Sequence, residues 1–354
     1  MKKVIKRILI AIAALLAVAI AAVLIIFNRE LRTVNSIEKV TDNFYSMDYK
    51  ADYGLDEFLE QGASTDKELA EFVIKKLMKG IPVNIELPDF GCSTFNAQTP
   101  DGDYIFGRNF DNPDAVYTIV HTDPKDGYES ISMVNLSYIG YGEDYLPDNF
   151  KDSILALAAP YIPLDGINEK GLSIGVLQLS TDVTNQETDK VDITTTSAIR
   201  MILDKAATVD EALALLEQYD MHSSANAPYH FQIADAYGNS VTVEYLDNVM
   251  YVYKEEDSTL VTTNFVLTEG EYFNHGSGQN RYEIIEAGLE EKNGVVTEEE
   301  AMDLLEAASQ YVANGKGSSA STLWSCVYNN TDKTLSLCCN QNYEKVYTYS
   351  VDWD

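Results

Sequence analysis

The sequence predicts an α+β fold in four layers, an αββα sandwich, set behind an N-terminal transmembrane helix. Two observations carry the layered part. Strand-like runs recur from residue 93 to the C-terminus, and the helix-like stretches between them come in pairs. Antiparallel strands with paired helices bury their apolar faces as two stacked sheets covered on both outer sides. A third observation, an apolar run at the start of the chain, carries the membrane helix.

Lys2, Lys3, Lys6 and Arg7 precede an uncharged apolar run over 8–27. A run of that length can cross a bilayer core as a helix, and it exceeds the usual hydrophobic region of a signal peptide. Residues 1–27 are therefore expected to be an uncleaved anchor, with signal-peptide cleavage in the Ala-rich stretch as the alternative. The cationic flank stays cytoplasmic, which places the rest of the chain on the extracytoplasmic side of the cell membrane. Arg29 and Arg32 pull against that orientation without reversing it.

Residues 28–91 read as a linker and pro-segment with one helix, over 65–79. Thr65 caps it, Glu68 completes a capping-box pattern and Gly80 stops it. Leu69, Phe72, Val73 and Leu77 follow helical spacing, with Lys76 as the polar interruption. That stripe is expected to pack on the following domain.

Residues 92–354 read as one domain. Strands are expected at 93–98, 104–109, 116–121, 130–136, 172–179, 230–236, 240–246, 250–253, 260–263, 321–328, 334–339 and 346–351. Helices are expected at 194–206, 209–218, 280–290 and 297–309, with Thr208 and Thr297 in capped starts. A short apolar helix within 138–161 either packs in the core, the better reading, or walls a pocket or leans on a membrane.

Composition excludes some partners. The formal net charge is −31, and setting aside the four early cations moves it to −35. Nucleic acid needs a basic face, so it is not an expected partner. Four cysteines do not make a disulfide framework in a chain this long. Cys326 and Cys338 flank a turn and could bridge, but free buried thiols are the better reading. The histidines, His121, His222, His230 and His275, show no context for a Cys–His pair, and no cluster has zinc-ligand spacing. No cofactor or metal is expected.

The chemistry concentrates around Phe90-Gly91-Cys92. Thr99-Pro100-Asp101-Gly102-Asp103 is turn chemistry between two strands, so a hairpin brings Arg108 and Asp111 back to Cys92. A guanidinium near a thiol favours the thiolate. Three later stretches stand out: Asp165-Gly166-Ile167-Asn168-Glu169-Lys170-Gly171-Leu172, Thr262-Thr263-Asn264-Phe265 and Gln279-Asn280-Arg281-Tyr282. In this order and spacing the four motifs resemble the choloylglycine hydrolase and penicillin V acylase family of N-terminal-nucleophile amidases.

The resemblance implies the N-terminal-nucleophile hydrolase form of the αββα sandwich and makes 92–354 a catalytic domain. It implies a nucleophilic Cys92, with Arg108 near its thiolate, and Asp111 orienting the freed amine. Asn264 would be an oxyanion donor and Arg281 a cation that pairs with carboxylates. Gln178 stands where the family often has a second oxyanion Asn, and donor and pocket wall remain equal alternatives for it. An α-amine has a reference pKa near 8, so at neutral pH it can serve as base for its own thiol. Cys92 is internal, so a cut between Gly91 and Cys92 is required, and autoproteolysis through a thioester is the expectation. Gly91, lacking a Cβ, tolerates a strained approach.

The implied substrates are linear, non-peptide amides with a lipophilic acyl part. Fatty N-acyl amides rank first for a membrane-held enzyme, before conjugated bile acids and penicillin V. Acyl transfer to an amine uses the same acyl-enzyme and stays open. So do association with further copies of the chain and, outside catalysis, an uncut tethered binding protein.

Overall fold

Strands buried on both faces form two sheets set face to face in the computed structural model, which describes residues 2–86, 90–113, 115–255, 259–310 and 321–353. The larger sheet has nine strands. In spatial order they are Glu38–Lys39, Phe44–Tyr49, Tyr117–Thr122, Ser130–Asn135, Pro163–Asn168, Ser173–Gln178, Tyr229–Ala234, Ser240–Leu246 and Val249–Tyr253. The smaller sheet has six: Leu260–Thr262, Gly91–Gln98, Tyr104–Asn112, Ser321–Asn329, Thr334–Cys339 and Val346–Ser350. Neighbours run antiparallel except Phe44–Tyr49 beside Tyr117–Thr122.

The sheets meet where Gly175 leaves room for Thr94, Phe106 and Arg108. A Cβ there would lie 3.3 Å from Thr94 Cγ2. Helices Thr195–Lys205 and Val209–Leu216 lie on the outer side of the larger sheet, and Gln279–Glu291 and Glu298–Ala307 on that of the smaller. Their starts follow the expected chemistry: the Thr208 and Thr297 side chains accept from Glu211 N and Glu300 N. Such caps contribute about 1 kcal/mol each.

The pro-segment departs from the expectation of one helix. Besides Asp66–Lys76, capped by Thr65, it holds helices Asn28–Asn35 and Leu55–Gln61 and the first two strands of the larger sheet. Phe44, Tyr45, Met47 and Tyr49 are buried, and Phe58 and Phe72 meet Tyr161 ring to edge, with centroids at 5.4 and 5.6 Å. The reason is packing. Tyr45, Met47 and Tyr49 alternate with Ser46 and Asp48 over too few residues to announce a strand locally, and the strand forms because a partner distant in sequence covers it. The apolar stretch Asp152–Tyr161 is a 3-10 helix buried in the core, with Pro160 inside it.

All four cysteines are free and buried. Cys326 pairs with Leu337 and Cys338 with Ser325 in register, so the two thiols lie on opposite faces of the sheet. The chain's first helix runs Lys2–Ile26 and exposes its large apolar side chains, Ile25 at 77% and Leu15 at 70%. Among the described residues no helix is long and apolar enough to cross a membrane. The side chains of 19, 20 and 23, inside the expected anchor, lie outside the described residues.

Candidate active site

The hairpin expected around residues 99–103 forms, pairing Cys92 with Phe110, Thr94 with Arg108 and Gly91 with Asp111. Paired residues share a face and neighbours alternate. Cys92, Thr94, Arg108 and Phe110 therefore look into the space between the sheets. Gly91, Ser93, Asn109 and Asp111 look outward, toward the helices. The nucleophile candidate and the carboxylate candidate sit on opposite faces of one hairpin, with the Gly91–Cys92 bond between them.

On the outward face Asp111 is fully buried and accepts from Thr322 Oγ1 at 2.6 Å and from Arg281 Nη1 at 3.3 Å. Burial raises its carboxyl above the ordinary range, while Arg281, Thr322 and Arg108 pull it back. Arg281 is also buried. Its Nη2 donates to Asn264 Oδ1 at 2.7 Å, and its Nη1 donates to the Cys92 carbonyl. Asn264 Oδ1 accepts in addition the backbone N–H of Cys92, at 2.8 Å. Both backbone polar groups of Cys92 are thus held by side chains of other elements.

On the inward face Arg108 Nε donates to Asp165 Oδ2 at 3.2 Å, and Trp324 Nε1 donates to the same oxygen at 3.1 Å. Tyr328 completes the Asp165 shell through its hydroxyl. Nη1 and Nη2 of Arg108 are buried and have no hydrogen-bond partner among the described residues. Burial pushes the Cys92 thiol up to about 12, although Arg108 pulls it down. The expected thiolate is not the state of this chain: desolvation outweighs the guanidinium while residue 91 is attached.

The two amide candidates are also engaged differently from expectation. Asn264 Nδ2 donates to the Gln178 carbonyl at 2.8 Å, and Gln178 Oε1 accepts the N–H of Phe90 at 2.7 Å. In this uncut chain Asn264 Nδ2 is thus spent on the Gln178 carbonyl, and Gln178 Oε1 on the N–H of Phe90. All six named side chains come together around one bond, and Arg281 is a buried member of the cluster, not a surface cation.

Asp165, Thr322, Trp324 and Tyr328 were not legible as partners of the candidate residues. Asp165 opens the Asp165-Gly166-Ile167-Asn168 stretch, but nothing in its spacing signals an Arg108 partner. The histidines lie elsewhere. His121 bonds Asp48 and Glu129, His222 bonds Asn185, and His230 bonds Glu244 and the Thr263 carbonyl. No group of His, Cys, Asp or Glu able to hold a metal ion occurs among the described residues.

A mixed α/β fold of two facing sheets, with a buried cysteine at the second residue of an inner strand, defines the class. A sequence profile of the linear amide C–N hydrolases, choloylglycine hydrolase family, matches residues 92–292, more than half of the chain, and begins on Cys92. The chain belongs to that family.

Penicillin V acylase of Pectobacterium atrosepticum is 28% identical over 111 residues, covering 28% of this chain and 30% of that enzyme. The chain thus spans under a third of that relative's length in the match. A mutant conjugated bile acid hydrolase from Clostridium perfringens is similar in structure, with TM-score 0.54 and 15% identity over 74% of this chain and 93% of that one. At that identity the likeness is one of fold. Penicillin V acylase from Agrobacterium tumefaciens gives TM-score 0.48 and 14% identity over 73% and 86%.

Proposed function

We propose that this chain is a cysteine N-terminal-nucleophile amidase with the four-layer fold of that class. It hydrolyses linear, non-peptide amides of lipophilic acyl groups after cutting itself between Gly91 and Cys92. One observation carries the reading: Asn264 grips the backbone N–H of Cys92, and Arg281 grips its carbonyl. An ordinary strand residue needs only its ladder. A residue that is to become a chain terminus needs anchors that survive loss of the chain ahead of it.

The chemistry follows from this placement. The Cys92 thiol adds to the Gly91 carbonyl carbon, the C–N bond breaks, and the thiol proton passes to the leaving nitrogen beside Asn264. Water then cleaves the thioester, giving a Gly91 carboxylate and a Cys92 that carries thiol and amine. In turnover the amine takes the thiol proton, the thiolate attacks the substrate carbonyl, the C–N bond breaks with the proton leaving on the departing amine, and water then cleaves the thioester, releasing the acid and restoring the thiol. Removal of the preceding residue admits water to the thiol and relieves the burial that now holds it neutral. Asp111 orients the amine, Arg108 attracts the thiolate, and Asn264 and Gln178 turn to the developing oxyanion once residues 90 and 91 withdraw.

The anchor belongs to the same proposal. Its support is the uncharged run 8–27 and the exposed apolar side chains of the first helix. An enzyme held at the outer membrane face has first access to fatty N-acyl amides that partition into lipid. Conjugated bile acids and penicillin V rank behind them.

Intact mass and a panel of fatty, bile-acid and phenoxyacetyl amides test the proposal. The expected results are a fragment beginning at Cys92, amine release by the wild type, and neither from Cys92→Ala. Release of amine by a chain that is still joined at Gly91–Cys92 refutes it. Added hydroxylamine that diverts the acyl group faster than water would instead mark an acyltransferase.

A further inference from the structure

Phe90 is the second residue on the acyl side of the bond that the proposed self-cleavage breaks, and its ring is buried in a stack. Tyr229 stacks on it with centroids at 5.5 Å and planes at 17°, and Phe110 packs against it, tilted, at 5.2 Å and 39°. Trp324 continues the stack behind Phe110 at 4.1 Å and 12°. The Arg108 guanidinium carbon sits 5.6 Å from the Phe110 centroid, which ties the stack to the inward face of the site. Gln178, the register partner of Tyr229, accepts the Phe90 N–H at 2.7 Å.

The geometry points to this slot as the acyl subsite, taking an acyl chain that ends in a flat ring. The inference rests on the amidase reading above and narrows its substrate. In self-cleavage Cys92 Sγ forms a thioester with the Gly91 carbonyl carbon, whose acyl chain is Phe90-Gly91. In turnover the same sulfur carries the substrate's acyl group, which extends into the space that Phe90 has left. Five atoms separate the Gly91 carbonyl carbon from the Phe90 ring. An acyl chain of that reach, such as 6-phenylhexanoyl, places its ring against Tyr229 and Phe110, as Phe90 is placed now. A phenylacetyl group is too short to reach, and a decanoyl chain reaches without a face to stack. Gln178 Oε1 adds a preference for an N–H on the chain next to the ring, as in acetyl-Phe-Gly.

Two aromatic contacts to one ring are worth roughly five- to a hundredfold in affinity. The test uses protein whose mass confirms the cut, with the p-nitroanilides of 6-phenylhexanoic, decanoic and phenylacetic acids and of acetyl-Phe-Gly. The expected kcat/KM for the phenylhexanoyl anilide is about tenfold or more above the decanoyl and phenylacetyl anilides. The acetyl-Phe-Gly anilide should do at least as well. Tyr229→Leu should bring the phenylhexanoyl to decanoyl ratio close to one, and Tyr229→Phe should keep it. Equal rates for ring and chain in the wild type, or a ratio that Tyr229→Leu leaves alone, overturn the slot and leave the amidase reading standing. Hydrolysis of none of the four by cut protein that releases amine from the earlier panel overturns the slot alone, and release from neither set overturns both.

Discussion

Arg281 shows how few side chains fix the site. One guanidinium meets Asp111, Asn264 and the Cys92 carbonyl, so the nucleophile's backbone, the carboxylate and the amide share a single support. The segment that carries Asn264 is held in turn by a buried pair. His230 Nε2 donates to the Thr263 carbonyl at 2.7 Å, and its Nδ1 lies 3.1 Å from Glu244 Oε1. The two Glu244 oxygens accept from Leu267 N at 2.9 Å and Thr268 N at 2.8 Å. Burial works to raise the Glu244 carboxyl, and its bonds to His230, Thr268 and Leu267 outweigh it, so its pKa is lowered in the fold. A carboxyl with a depressed folded pKa stabilises above its unfolded value, about 4.3, and loses that contribution as pH falls through the folded value. Glu244→Gln should therefore cost about 1.5–3 kcal/mol at pH 7, read from urea midpoints, and the gap to wild type should close as the pH is lowered below about 4. A gap that is constant from pH 7 to 3 would show that the charge contributes nothing. Cys92, Arg108, Asp111, Asn264 and Arg281 were legible as candidates because their motifs are short and local. Glu244 and Asp165 were not, since each earns its role only from partners that the fold brings from far along the chain.

Among the elements, the Phe44–Tyr49 strand matters most for how the mature protein holds together. It lies inside the larger sheet, paired in parallel from Phe44 against Tyr117 to Tyr49 against Thr122. Leu69, Phe72 and Val73 of the Asp66–Lys76 helix are buried with it. If the bond before Cys92 is cut, the two pieces remain joined by a strand pair and a shared core. Size-exclusion chromatography of the cut protein should give one peak containing both fragments, which separate only in denaturant. Elution of the larger fragment alone under native conditions would contradict this. The strand escaped the sequence reading because a parallel pair needs a partner across a long connection, and local alternation does not report one. The Pro163–Asn168 strand escaped too, since Pro at its first position and Gly166 within it read as loop. Hairpins and capped helices carry their instructions within a few residues, which is why 91–112 and the four later helices were read close to their observed limits.

The whole molecule divides by charge and apolarity. Beyond residue 27 the chain carries a formal charge of −35, obtained from −31 by setting aside Lys2, Lys3, Lys6 and Arg7. A surface so acidic is repelled by anionic headgroups and would not settle on a membrane by itself. The first helix is of the opposite kind. Its 25 residues leave Ile8, Leu9, Leu15, Leu16, Leu24 and Ile25 exposed. On the proposed reading, membrane attachment resides wholly in that helix and the folded part contributes none. Full-length protein expressed in a bacterial host should then stay in the membrane pellet after a carbonate wash, and the chain from 28 to 354 should move entirely to the supernatant. Protease added outside intact spheroplasts should degrade the folded part of the full-length protein and spare cytoplasmic markers. Full-length protein in the supernatant would remove the anchor from the proposal. A folded part that survives external protease in intact spheroplasts, yet is digested after lysis, would reverse the orientation.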